Sequence, residues 1–130
     1  MREYVLDTHT VVFYVRGRRM GRNAARVFRD IDAGRVAAMV PAIVPIEMAL
    51  LRDAGRIGMG VAEFEATVGR NPAFSVLPLD LAQAREFALL PAIRDPFDRM
   101  IVAAARAVHR PLITADGDIA ASGLVEVVWD

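Results

Sequence analysis

Short runs of β-branched and aromatic residues alternate along the chain with longer stretches whose apolar residues recur every three or four positions. That is the pattern of strands alternating with helices. Glu3 to Leu6 reads as a strand that stops at Asp7, and Thr8 to Val15 as a helix following it directly. Asn23 to Ala33 sets Ala24, Val27, Phe28 and Ile31 at helical spacing and ends at Gly34. Val36 to Val40 reads as a buried strand. Pro45 suits the first turn of the next helix, with Glu47 in that turn and Ile46, Ala49, Leu50 and Ile57 along its apolar side. Val61 to Gly69 is expected to be helical, Phe74 to Leu77 a strand, and Leu81 to Leu90 a helix opened by Asp80 as N-cap. Asp95-Pro96-Phe97-Asp98 opens the clearest helix, whose interior from Met100 to Val108 is dominated by Ile, Val and Ala. Pro111 to Ile113 and Val125 to Trp129 close the chain as two strands, with a turn at Thr114-Ala115-Asp116-Gly117-Asp118 after the first.

This order predicts an α/β fold: one domain over residues 1–130, built on a largely parallel sheet flanked by helices. No repeat or long linker divides it. In such sheets the polar residues just past the strand C-termini face a common crevice, where ligands bind.

Composition then removes mechanisms. The chain has no cysteine, so thiolate zinc sites, iron–sulfur clusters and cysteine nucleophiles are absent. All 16 basic residues are arginine. Without lysine there is no P-loop lysine, no Schiff base and no serine–lysine dyad. Sixteen acids balance the arginines to a formal charge of zero, which argues against tight non-specific nucleic-acid binding while leaving room for a local basic groove. No run of about 18 uncharged apolar residues occurs, and Asp7 interrupts the first apolar stretch too early for a secretory signal. A cytoplasmic protein without a membrane span is expected.

The acids carry the candidate chemistry. Asp7 ends the first strand and Asp116 follows Pro111 to Ile113 by a short turn, so both belong at the carboxyl edge of the sheet. Glu47 and Asp98 sit near the starts of helices that can point toward the same edge, and Asp95 lies three residues before Asp98. Each has an ordinary alternative: Asp7 and Asp95 as helix caps, Asp98 as a capping-box partner, Glu47 as dipole compensation, Asp116 and Asp118 as turn residues. If they converge, each carboxylate pair about 5 Å apart repels by roughly 3 kcal/mol at an effective dielectric of about 20. A hard divalent ion with oxygen ligands, Mg²⁺ or Mn²⁺, relieves that repulsion, and phosphodiester hydrolysis fits its chemistry.

The segments that hold these acids resemble the PIN-domain family, and within it the VapC-type ribonuclease toxins. The matching pieces are Val5-Leu6-Asp7-Thr8-His9, Pro41-Ala42-Ile43-Val44-Pro45-Ile46-Glu47, Arg94-Asp95-Pro96-Phe97-Asp98-Arg99-Met100-Ile101-Val102-Ala103 and Pro111-Leu112-Ile113-Thr114-Ala115-Asp116. They come in the family's order and span nearly the whole chain. The resemblance implies a PIN-like, Rossmann-like sheet and a Mg²⁺- or Mn²⁺-dependent endoribonuclease. Asp7, Glu47, Asp98 and Asp116 match its metal ligands, with one or two ions compatible. Asp95 would be an accessory acid, Asp118 would assist or replace Asp116, and Thr114, more than Thr8, would be a polar helper. The resemblance further implies a homodimer and a small VapB-like antitoxin that inserts a basic residue into the acidic pocket. Val44 and Pro45 depart from the family's usual small polar or aromatic residues before the glutamate.

Two rival readings remain open at this stage. One is a non-catalytic PIN-like module whose acids only receive a partner's arginine. The other is a phosphatase with Asp7 as nucleophile, which lacks a second aspartate at His9 and a lysine. Elsewhere, Arg16, Arg18, Arg19 and Arg22 form a basic loop that either holds RNA phosphates or is simply solvated. His9 is expected to be a hydrogen-bonded packing residue, His109 to be structural, and Trp129 to pack an edge strand.

Overall fold

A computed structural model describes all 130 residues. Twelve elements follow in the order β1 (Glu3–Leu6), α1 (Thr8–Arg16), α2 (Arg22–Asp32), β2 (Ala37–Pro41), α3 (Ile43–Asp53), α4 (Val61–Arg70), β3 (Phe74–Leu77), α5 (Leu81–Ala88), α6 (Pro96–Val108), β4 (Leu112–Ile113), α7 (Gly117–Ser122) and β5 (Val127–Val128). The strands form one parallel sheet in the order β3-β2-β1-β4-β5. β1 pairs with β2 on one side, Val5 opposite Met39, and with β4 on the other, Leu6 opposite Ile113. Chain order therefore reverses direction beside β1. The crevice outside the carboxyl ends of β1 and β4 is the switch point where open α/β sheets bind ligands.

Apolar runs explain the central strands. Val5, Leu6, Val40, Leu112 and Ile113 are fully buried, as continuous apolar strands must be when helices cover both faces. α6 supplies the largest contribution from a helix, burying Ile101 to Ala105. It packs against α5 and α3, and His109 ends it in the left-handed conformation with φ of 55°. α2 buries Ala24, Val27, Phe28 and Ile31, the four residues its spacing singled out.

The C-terminal segment is tied to the start of α2. Trp129 O accepts from Ala24 N at 2.9 Å, Asn23 donates to the Asp130 carbonyl, and the Phe13 ring meets Trp129 edge-on at 5.7 Å. A Cβ at Gly21 would collide with the Trp129 backbone, so this corner accepts only glycine without rearrangement.

Four expectations need correction. α3 begins at Ile43, two residues before Pro45, because the chain enters the helix straight from the end of β2; Glu47 therefore lies beyond its first turn. The buried face of α3 is Val44 and Met48, while Ile46 and Leu50 are 54% and 50% exposed. Both stripes have helical spacing, and only the placement of the neighbouring helices α1, α4 and α6 distinguishes them. The stretch after Thr114 is not a mere turn: Asp116 caps a short helix, α7. The last two strands pair over only Leu112–Ile113 and Val127–Val128, where they face each other in register.

Candidate metal centre

Three of the acids are held by the backbone they cap. Asp7 Oδ1 accepts from Thr10 N at 2.8 Å, fixing the turn from β1 into α1. Asp95 Oδ1 accepts from Phe97 N and Asp98 N, with Pro96 at the first helical position where its missing N–H costs nothing. Asp116 Oδ1 accepts from Asp118 N and Ile119 N. Capping and site geometry are thus one device: a cap uses a single carboxylate oxygen and leaves the other for a further partner.

Two buried threonines aim the remaining oxygens. Thr114 Oγ1 donates to Asp7 Oδ2 at 2.5 Å and itself accepts from Asp116 N at 3.1 Å, so one hydroxyl links the ends of β1 and β4. Thr8 Oγ1 donates to Glu47 Oε1 at 2.5 Å, which draws α3 toward the start of α1. Thr10 Oγ1 donates to Ile113 O and locks the same junction from below. Thr8 and Thr114 stand where the sequence suggested polar helpers; Thr10 was not singled out, and a threonine within a helix gives no signal of its own.

Asp98 is where the charges meet. Burial first, and then the charges of Asp95, Asp116, Glu47 and Asp7, push its carboxyl up from 3.8 to about 7. Glu47 is also raised, by burial above all, against the opposing effect of the Thr8 hydroxyl; Asp95 and Asp7 raise it further and His9 lowers it. The four acids matched to metal ligands, with Asp95, therefore share one electrostatic neighbourhood. Asp95, Asp98, Asp116 and Asp118 line a cavity of about 290 Å³. Of the two C-terminal acids, it is Asp116 whose charge acts on Asp98. His9 is exposed beside Glu47 and not packed, contrary to expectation, because α1 turns that side to solvent.

No arginine forms an ion pair with this group, although Arg94 lines the same cavity. The four ion pairs of the protein join Arg16 to Glu63, Arg35 to Asp30, Arg106 to Glu86 and Arg110 to Glu3, all away from the crevice. As they stand, no three acidic or imidazole side chains are grouped closely enough to hold a metal ion. The donor chemistry still fits a hard divalent ion: oxygen ligands only, negative charge left uncompensated, and carboxylates half removed from water. Asp7, Glu47, Asp98 and Asp116 are the residues that could hold one.

The predicted basic loop does not join the acids. α1 starts at the crevice and runs away from it, so Arg16, eight residues along, lies about 12 Å down the helix axis. Arg16 is engaged with Glu63 at 2.8 and 3.1 Å, and Arg18 lies over the Phe13 ring at 5.7 Å.

The fold is that of several solved structures. One is VapBC2 from Rickettsia felis bound to a DNA fragment from their promoter, at 14% identity and a TM-score of 0.71, covering 98% of this chain and 99% of that one. DNA-bound VapBC from Salmonella typhimurium matches at 17% identity and a TM-score of 0.69, covering 98% of both chains. A toxin–antitoxin complex from Klebsiella pneumoniae matches at 19% identity and a TM-score of 0.65, covering 96% of this chain and 95% of that one. No curated protein matches the sequence. The profile of the PIN domain matches residues 4–123, all but the two ends of the chain and every acid of the crevice, and the chain belongs to the PIN domain family.

Proposed function

We propose that this chain, as one PIN domain over residues 1–130, is a Mg²⁺- or Mn²⁺-dependent endoribonuclease. It acts in the cytoplasm as the toxin of a type II toxin–antitoxin pair. The observation that carries the reading is the convergence of Asp7, Glu47 and Asp116 on Asp98 with no arginine paired to any of them. Its structural likeness to VapBC complexes supports a VapB-like antitoxin as partner; its working form in this reading is a homodimer. No helix is long and apolar enough to cross a membrane.

In this reading Asp7, Glu47, Asp98 and Asp116 are the metal ligands, with Asp95 and Asp118 as accessory acids. A divalent ion held by these carboxylates would supply Lewis acidity toward a phosphoryl group and would lower the pKa of water, so that a hydroxide nucleophile is accessible at neutral pH. The chain's own residues do the positioning. Thr10 N and the Thr114 hydroxyl each donate to one oxygen of Asp7, Thr8 holds Glu47 by one oxygen, and Asp95 pins the first turn of α6 so that Asp98 faces the other acids. Burial of Asp98 and Glu47 keeps bulk water from screening these charges.

The test uses the purified chain freed of any partner, single-stranded RNA and Mg²⁺ or Mn²⁺. Cleavage is lost in EDTA and in Asp7→Asn and Asp98→Asn, while circular dichroism stays that of the parent. Full activity in both variants would remove the site. Failure to bind Mn²⁺ calorimetrically would favour the non-catalytic module, and efficient turnover of a chromogenic phosphate monoester would favour the phosphatase.

A further inference from the structure

A nuclease whose cutting site is a cluster of acids repels the polyanion it must hold, so its affinity has to come from another surface. The charge distribution of this chain shows where. Residues 16–29 contain six arginines and no acidic residue, although the chain as a whole is neutral. Only Arg16 among the six is in an ion pair. Arg18, Arg19, Arg22 and Arg29 rim a cavity of about 830 Å³ between the last turns of α1 and the length of α2, with Phe13 and Phe28 in its lining. All four arginines are exposed, and Arg22 and Arg29, seven positions apart on α2, share a helical face. Arg29 was outside the basic loop read from the sequence; the spacing to Arg22 was the available signal. Of the two acids that also line this cavity, Asp32 and Asp130, Asp32 is turned toward Tyr14 Oη, which donates to it at 2.7 Å.

We infer that this arginine-rimmed cavity is an exosite for the phosphodiester backbone of RNA, set apart from the scissile bond. The inference rests on the endoribonuclease reading above. α1 spans the two sites: its N-cap Asp7 and its C-cap Gly17 are ten residues apart, about 15 Å along the helix axis. At about 3.4 Å per nucleotide of a stacked strand, about four nucleotides bridge that distance. Arginine suits the task because its planar fork grips phosphate oxygens in pairs and stays charged at any relevant pH. The arrangement also explains how a net-neutral chain holds RNA: the molecule is a dipole, negative at the crevice and positive at the α1–α2 corner.

The experiment measures binding first, without metal, so that it stands whether or not the chain cleaves. Fluorescence polarisation of a labelled 20-nucleotide RNA in EDTA compares the parent with Arg18→Gln/Arg19→Gln and Arg22→Gln/Arg29→Gln across a salt series. Each pair is expected to weaken binding about tenfold at 0.1 M salt. Each should also flatten the log–log salt slope by about 1.4, the share of two phosphate contacts on a single strand. Replacement by lysine restores most of the slope. In cleavage assays the KM of the parent falls as the RNA is lengthened past about four nucleotides, and the arginine variants lose that length dependence. Parent-like affinity and slope in both variants would overturn the exosite, as would a parent that binds no RNA in EDTA. So would variants that keep RNA but lose a polyglutamate probe, which would reassign the cavity to an acidic protein partner. Loss of cleavage in the parent with intact, arginine-dependent RNA binding would instead count against the nuclease reading alone.

Discussion

Thr114 donates its hydroxyl proton to Asp7 Oδ2 at 2.5 Å, joining the ends of two adjacent strands that lie 107 residues apart in the chain. Both residues are buried, so the bond is shielded from water, and a group removed from it has no solvent to turn to. Thr114→Val keeps the shape and removes the donor. We expect it to lower stability by about 1–3 kcal/mol in urea denaturation and to weaken Mn²⁺ binding by roughly 10–100-fold in calorimetry, the range for groups that orient a metal ligand. Thr114→Ser should restore metal binding. Parent-like Mn²⁺ affinity in Thr114→Val would show that Asp7 needs no orienting donor.

Asp98 separates function from stability. Asp98→Asn removes a half-buried charge that no cation offsets and that four other acids oppose. Cleavage of single-stranded RNA should fall by at least about 100-fold, yet in EDTA at pH 8 the melting temperature should be equal to or above the parent's. A large drop in melting temperature would mean that the carboxylate has a stabilising partner and that the crowding argument is wrong.

The same group sets a pH dependence with a definite sign. Its carboxyl titrates near 3.8 when exposed and near 7 in the folded chain, so between those values the folded protein keeps a proton that the unfolded chain has lost. That stabilisation is fully present below pH 3.8 and disappears as pH rises through 7; Glu47, also raised, acts in the same direction. Without divalent ion, the melting temperature should therefore decline between pH 5 and pH 8 by more in the parent than in Asp98→Asn. Saturating Mn²⁺ should reverse the trend in the parent, because binding then requires the carboxylate. Identical pH profiles for parent and variant would refute the assignment.

The two stripes of α3 offer a test by substitution. Val44 and Met48 are fully buried, and Met48→Ala should cost about 2–5 kcal/mol through the cavity it leaves. Ile46→Ala and Leu50→Ala should each change the stability of the monomer by no more than about 0.5 kcal/mol. Loss of stability that depends on protein concentration in the latter pair would place that exposed stripe in a homodimer.

Gly21 makes the fourth structural test. A Cβ there meets the Trp129 backbone where α2 and the C-terminal segment join. Gly21→Ala should destabilise by about 1–3 kcal/mol, and because Gly21 also lines the arginine-rimmed cavity, it should weaken RNA binding as well. Unchanged urea denaturation would show that the corner yields.

Local signals determined a large part of this protein. The apolar runs of β1 to β3, the stripe Ala24, Val27, Phe28 and Ile31, and the caps Asp80 and Asp95 follow from periodicity and capping, which act within one or two turns of chain. The candidate ligands were visible as acids at strand ends and helix starts, and through resemblance to a family. Tertiary structure decided what periodicity leaves degenerate. On α3, Ile46 and Leu50 have the same spacing as Val44 and Met48, and only packing against the neighbouring helices α1, α4 and α6 selects the buried pair. The cap that opens α7 near β4, with Asp118 N and Ile119 N donating to Asp116 Oδ1, is by contrast a local signal that the turn reading passed over. Strand order placed Asp7 beside Thr114 and brought the field of Asp116 onto Asp98, while the direction of α1 carried the arginines away from them. Those relationships depend on residues far apart in the chain, and electrostatic energy depends on distance in space, which only the packed sheet defines.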